Sequence, residues 1–206
     1  MPCAALPPGD QKLIQIVNAA LADTVARSGK WLACRPGCSH CCVGVFAINQ
    51  LDALRLRNGL AETEKTDPDR AARIRKRALD TVARLSPEYP GDPETGLLDE
   101  ADDDEDCKRW DEFANDEPCP VLDPATGTCE LYEFRPVICR TFGPPLMGED
   151  GDLGVCDLCF DGATEAEITA CEMKPDPGKL EPVLLEELEK TTGAKGETII
   201  AFALVR

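Results

Sequence analysis

The chain has 206 residues and carries 39 Asp and Glu against 22 Lys and Arg, a formal net charge of −17. Such a field repels a phosphate backbone and an anionic membrane surface alike, which argues against nucleic acid and membrane as partners. At 43% hydrophobic and 30% charged residues, the mix is that of a globular chain able to bury a core without staples, not of a disordered one.

In chain order, residues 11–27 read as a helix: Leu13, Val17, Leu21 and Val25 recur every fourth position, Asp10 can cap the start and Gly29 can end it. The first ten residues lack both the basic and the apolar stretch of an export signal. The longest apolar runs, 41–48 and 199–205, are too short to span a bilayer. The expected location is therefore the cytoplasm, where a reducing environment keeps thiols unpaired. Residues 34–42 are turn-rich, and the apolar run 43–48 leads into a second helix over 51–60. Asp67-Pro68 is an N-cap and first-turn pair for a third, with Ile74, Ala78, Val82 and Leu85 on one stripe.

Over 86–106 the periodicity fails. Pro87, Pro90, Gly91, Pro93 and Gly96 interrupt regular structure, and 99–106 is acidic at every position but Ala101. The expectation is a mobile, solvated insertion that supplies no metal ligand. Residues 123–127, Asp-Pro-Ala-Thr-Gly, form a strong turn. A Gly/Pro-rich loop runs to Asp152, and Thr164 with Glu167 is a capping-box pattern for a helix reaching about Met173. Pro182 suits the first turn of a further helix ending near Lys190. The tail, 197–205, is apolar almost throughout and reads as a buried strand or, in better keeping with the other elements, a short buried helix. The expected fold class is mainly α: an irregular, metal-organised single domain over 1–206 with cysteine-bearing loops.

Twelve cysteines against one histidine is the anomaly. In a reducing compartment many cysteines mean metal more often than disulfide. Cys34-x3-Cys38-x2-Cys41-Cys42 puts four thiols within nine residues, and Pro36 and Gly37 permit the tight turn between them. Thiolates are soft ligands suited to zinc, copper(I) and iron–sulfur centres. Two readings stay open. Structural zinc closes with two short-spaced pairs, which Cys38-x2-Cys41 and Cys156-x2-Cys159 can supply. A [4Fe-4S] cluster takes one thiolate per iron, for which Cys34, Cys38, Cys41 and a distant fourth would serve.

Cys3, Cys107 and Cys171 stand apart and read as small buried hydrophobes. His40 reads as a polar turn residue rather than a ligand. Tyr132 and Phe142 read as packing around the site. Arg135 and Arg140 can offset the charge of several thiolates by hydrogen bonding to sulfur or to a bound cofactor, or can pair with the abundant carboxylates.

The block Cys34-x3-Cys38-x2-Cys41-Cys42, then Cys119-Pro120-x-Leu122, then Cys129-x-Leu131-Tyr132-x2-Arg135-Pro136-x2-Cys139-Arg140-x-Phe142-Gly143 is similar to the YkgJ-type cysteine-cluster proteins, described as zinc- or iron-chelating domains. The resemblance covers about residues 28–159, interrupted by the acidic insertion. It implies Cys34, Cys38, Cys41, Cys42, Cys119, Cys129 and Cys139 as core ligands, with Cys156 and Cys159 as additions. Flagellin lysine methylases carry a similar cysteine cluster, although this chain is short for a whole enzyme of that kind. The spacing Cys34-x3-Cys38-x2-Cys41 also matches the cluster motif of radical S-adenosylmethionine enzymes, but the βα repeat of their barrel is missing.

Three functions follow. The favoured one is a protein holding zinc or an iron–sulfur cluster, as carrier or as metal-stabilised scaffold. The second is a cluster-dependent redox or protein-modifying enzyme, or its accessory subunit. The third is a structural zinc module that binds a protein partner, with the acidic insertion as docking arm. Thiols in excess of four favour a richer site than one structural zinc, and the lack of other catalytic groups favours binding over catalysis.

Overall fold

The helical stripes fold as helices; Asp67 caps its helix as foreseen, whereas Asp10, foreseen as a cap, is the first residue of its helix, which starts after Gly9 without a side-chain cap. The computed structural model describes residues 5–100, 104–148 and 151–206; Cys3 and the middle of the acidic run, 101–103, lie outside the described residues. Eight α-helices and only two-residue strands are found among the described residues, so the fold is mainly α, with most cysteines in loops and turns. No described helix is long and apolar enough to cross a membrane. The helices are α1 (Asp10–Ser28), α2 (Gln50–Thr66), α3 (Pro68–Leu85), α4 (Asp104–Asp111), α5 (Val137–Thr141), α6 (Glu165–Ala170), α7 (Leu180–Thr192) and α8 (Ile200–Val205). The chain divides into two compact units. One holds 39–136 and 188–206 with Ala5 and Leu6, and the other holds 7–38 and 137–187.

In the first unit α2, α3 and α8 pack on one another. The Asn49 side chain caps α2 by accepting from the Asp52 amide at 2.9 Å, and Asp67 caps α3 by accepting from the Arg70 amide at 3.0 Å. Leu51, Leu56, Ile74 and Phe202 are fully buried between these helices. Gly59, in α2, has no side chain because the Phe134 ring occupies the place where a Cβ would stand. The tail combines both foreseen forms. A two-residue strand, Glu197–Thr198, pairs antiparallel with Ile48–Asn49, and the buried helix α8 follows.

The stretch foreseen as a solvated insertion has structure in its described part. Strands Gly91–Asp92 and Leu97–Leu98 form a hairpin. Tyr89, 3% exposed, anchors it: its ring lies 4.5 Å from that of Phe202 and 5.9 Å from that of Phe113, and its hydroxyl donates to the Gly96 carbonyl at 2.8 Å. One aromatic side chain supplies the apolar burial that the local composition lacks.

In the second unit α5 packs on α1, and the Arg140 guanidinium donates to Asn18 at 2.8 Å across that contact. Thr164 and Glu167 form the foreseen capping box on α6. The helix ends at Ala170, three residues short of the expected Met173. There Arg27 engages the Ala170 and Glu172 carbonyls, and the Met173 amide turns to the Pro145 carbonyl at 2.8 Å instead of continuing the helix.

Candidate metal centre

Two sets of thiols are gathered, one within each unit. In the second unit, residues 35–38 form a turn in which the Cys38 amide donates to the Arg35 carbonyl at 2.9 Å, with Gly37 at φ 88°. A matching turn closes Cys156 to Cys159, whose amide donates to the Cys156 carbonyl at 2.8 Å. The two turns are clipped together where the Phe160 amide donates to the Trp31 carbonyl at 2.8 Å, and the two rings stack with centroids 6.4 Å apart. Cys34 and Cys159 are thereby hydrogen-bonded through their thiols, with Cys38 and Cys156 near enough to act on Cys34 electrostatically. Gly143, at φ 106°, makes room for this set: a Cβ built on it would stand 2.5 Å from Cys34 Sγ.

In the first unit the vicinal pair lies on a 3-10 turn, His40–Cys42. The following backbone runs alongside residues 117–119. The Cys119 amide donates to the Cys42 carbonyl at 2.8 Å, Val43 bridges Pro118, and the Gly44 amide donates to the Glu117 carbonyl at 2.9 Å. The foreseen turn at 123–127 closes a hairpin of Leu122–Asp123 and Thr128–Cys129, which returns Cys129 opposite Leu122. Arg77 of α3 locks this hairpin, donating to the Pro120 carbonyl at 2.8 Å and pairing with Glu130. Cys41 is hydrogen-bonded to Cys42 and lies within electrostatic reach of Cys129, as Cys119 does. Arg135, 8% exposed, stacks on the Tyr132 ring at 3.7 Å and acts on both Cys41 and Cys129.

Proton affinity is raised at Cys34, Cys156, Cys119 and Cys129, in both sets, and lowered at Cys41. Cys34 is exposed as a residue, yet desolvation of its sulfur, followed by the charge and hydrogen bond of Cys159, holds its proton well above the ordinary thiol range. Burial, with Cys159 adding, raises Cys156 as well. Burial pushes Cys119 up to about 12 and also raises Cys129, against the opposing pull of Arg135. Cys41 moves the other way, to about 6. The hydrogen bond from Cys42 is the main cause, with help from its own backbone, His40 and Arg135.

Cys139 sits on α5, partly exposed. Arg140 is 2% exposed and holds Asn18. Cys171 is buried in an apolar cluster with Cys159 and Phe160, as foreseen, whereas Cys107 is exposed on α4. Sequence reasoning assigned no role to Gly143, Arg77 or Glu130. For Gly143 the signal was present, since a glycine ends the Cys139-Arg140-x-Phe142-Gly143 block. For Arg77 and Glu130, 53 residues apart, nothing in the sequence marks the pairing.

All eleven described cysteines are thiols rather than disulfides. A donor set of thiols alone, with a side-chain-free position kept against Cys34, fits a thiophilic ion or cluster in kind. Among the described residues no three His, Cys, Asp or Glu side chains already close on one ion. The thiols are instead paired with one another, Cys34 with Cys159 and Cys41 with Cys42. Loading therefore has to displace those protons.

The CxxCxxCC family model, described as "Putative zinc- or iron-chelating domain", matches residues 33–159. No curated protein and no solved structure matches the chain.

Proposed function

The chain belongs to this CxxCxxCC family of zinc- or iron-chelating domains, and from that premise we propose that it is a cytoplasmic metal-binding protein whose primary donor set is Cys34, Cys38, Cys156 and Cys159. The observation that carries the reading is the joining of the Cys34-x3-Cys38 turn to the Cys156-x2-Cys159 turn, with Gly143 leaving space at Cys34. Two short-spaced cysteine pairs brought together are the donor pattern of a thiolate centre.

A bound zinc ion supplies a closed structural centre, and a cluster of iron and sulfide supplies an electron-transfer one. The chain's own part is to present the sulfurs, release their protons and hold the two turns together through Trp31 and Phe160. Binding is favoured over catalysis because the only histidine, His40, is the chain's one candidate imidazole base and lies on the turn of the other thiol set.

Anaerobic purification with elemental analysis and an absorption spectrum tests the proposal. Colourless protein with stoichiometric zinc, or brown protein with iron and labile sulfide, supports it and names the metal. Protein that carries neither, and takes up neither when offered under reducing conditions, overturns it.

A further inference from the structure

We infer that the chain holds a second, separately loaded metal site made by Cys41, Cys42, Cys119 and Cys129, distinct from the set around Cys34. The inference rests on the metal-binding reading above and divides the cysteines of one sequence cluster between two sites. Cys38 and Cys41 are separated by two residues in the spacing that reads as one ligand pair, yet they belong to different compact units. Cys38 acts with Cys34 and Cys156; Cys41 acts with Cys42 and Cys129.

The second set has the supports expected of a built site. Its three chain segments are fixed to one another by backbone bonds: Cys119 to Cys42 at 2.8 Å, Gly44 to Glu117 at 2.9 Å, and Glu130 to Val121 at 2.9 Å. Arg77 ties the hairpin to a helix through the Pro120 carbonyl and Glu130. Arg135 is buried beside Cys41 and Cys129, and its guanidinium is held by the Tyr132 ring and by a bond to the Tyr132 carbonyl at 2.8 Å. Four thiolates on one divalent ion leave a net charge of −2. A fixed guanidinium next to two of them offsets part of that charge and favours a four-sulfur centre over a neutral mixed one. The ligand class is a thiophilic divalent ion.

The test uses the full-length chain, stripped by chelator, reduced and kept anaerobic, and titrated with zinc alone and with ferrous iron alone. The expected result is two ions per chain. Cys34→Ser with Cys159→Ser leaves one, Cys41→Ser with Cys129→Ser leaves one, and all four changes leave none. Unsubstituted protein provides an arm that no misfolded variant can spoil. At saturating metal, iodoacetamide labelling read by mass spectrometry should show Cys34, Cys38, Cys156 and Cys159 protected as one block and Cys41, Cys42, Cys119 and Cys129 as another. A total of one ion per chain that either variant pair abolishes, or protection that groups Cys38 with Cys41, overturns the second site and leaves metal binding standing. One ion that only the Cys34 and Cys159 changes remove does the same. No uptake of either ion by the unsubstituted chain overturns both readings.

Discussion

Gly143 and Cys34 are in direct register: the position of an absent side chain on the glycine lies 2.5 Å from the cysteine sulfur, at a backbone φ of 106°. The glycine of the Cys-Arg-x-Phe-Gly block is thus required twice, by conformation and by space. Gly143→Ala should lower stability by roughly 1–3 kcal/mol through backbone strain. It should also displace the Cys34 sulfur, so that metal held per chain falls while the Asp67-capped helix α3 is untouched. Thermal melting and metal content measured together check this; loss of stability with full metal content would show that Gly143 serves the backbone alone.

The contrast between Cys41 and Cys119 predicts a pH-dependent reactivity. The thiolate is the nucleophile. With Cys41 titrating near 6 and Cys119 near 12, the metal-stripped, reduced chain should be alkylated at Cys41 well before Cys119 at pH 7. The Cys41 rate should fall as pH drops through about 6. The linkage has the matching sign. A thiol whose folded value lies below its ordinary 9.0 favours the folded state when ionised. That contribution is full above the ordinary value and is lost as pH falls through the folded one. Peptide-resolved labelling from below the Cys41 value of about 6 up to its ordinary 9.0 reads it directly.

Metal removal should act unevenly. A site assembled from loops is unlikely to persist in the same form once its ligands regain protons. Chelation should therefore expose the cysteine turns to protease and lower the melting temperature. Most far-UV helical signal from α2 and α3 should remain, because their caps and their packing on α8 involve no cysteine. Unchanged melting and unchanged cleavage after stripping would contradict this.

Tyr89 should matter more than its acidic surroundings imply. Tyr89→Ala removes the ring packed on Phe113 and Phe202 and should cost about 3–5 kcal/mol, as other buried aromatic truncations do. Tyr89→Phe removes only the bond to the Gly96 carbonyl and should cost about 1 kcal/mol. Denaturant melts of the two variants distinguish packing from hydrogen bonding.

The local parts of the structure were legible because their causes are local. Asp67 caps the helix that follows it, Thr164 and Glu167 box the start of α6, and the turn at 123–127 makes its hairpin. The anchoring of the insertion was not legible, because Tyr89 finds its partners at Phe113 and Phe202, far along the chain. The partition of the cysteines was hidden for the same reason. Spacing places Cys38 beside Cys41, whereas the Trp31–Phe160 contact joins the Cys34 segment to a turn more than a hundred residues away. Cys171 met its expectation as a buried apolar thiol; Cys107, on the polar helix α4, has no comparable cluster to enter and stays exposed.

The most direct measurement is metal per chain, by elemental analysis, in anaerobically purified full-length protein and in its Cys156→Ser/Cys159→Ser variant. The account predicts zinc or iron in the unsubstituted chain and the loss of one site's worth in the variant, with helical content retained by circular dichroism. A variant that keeps its full metal content while folded would contradict the assignment of Cys156 and Cys159 to the primary donor set.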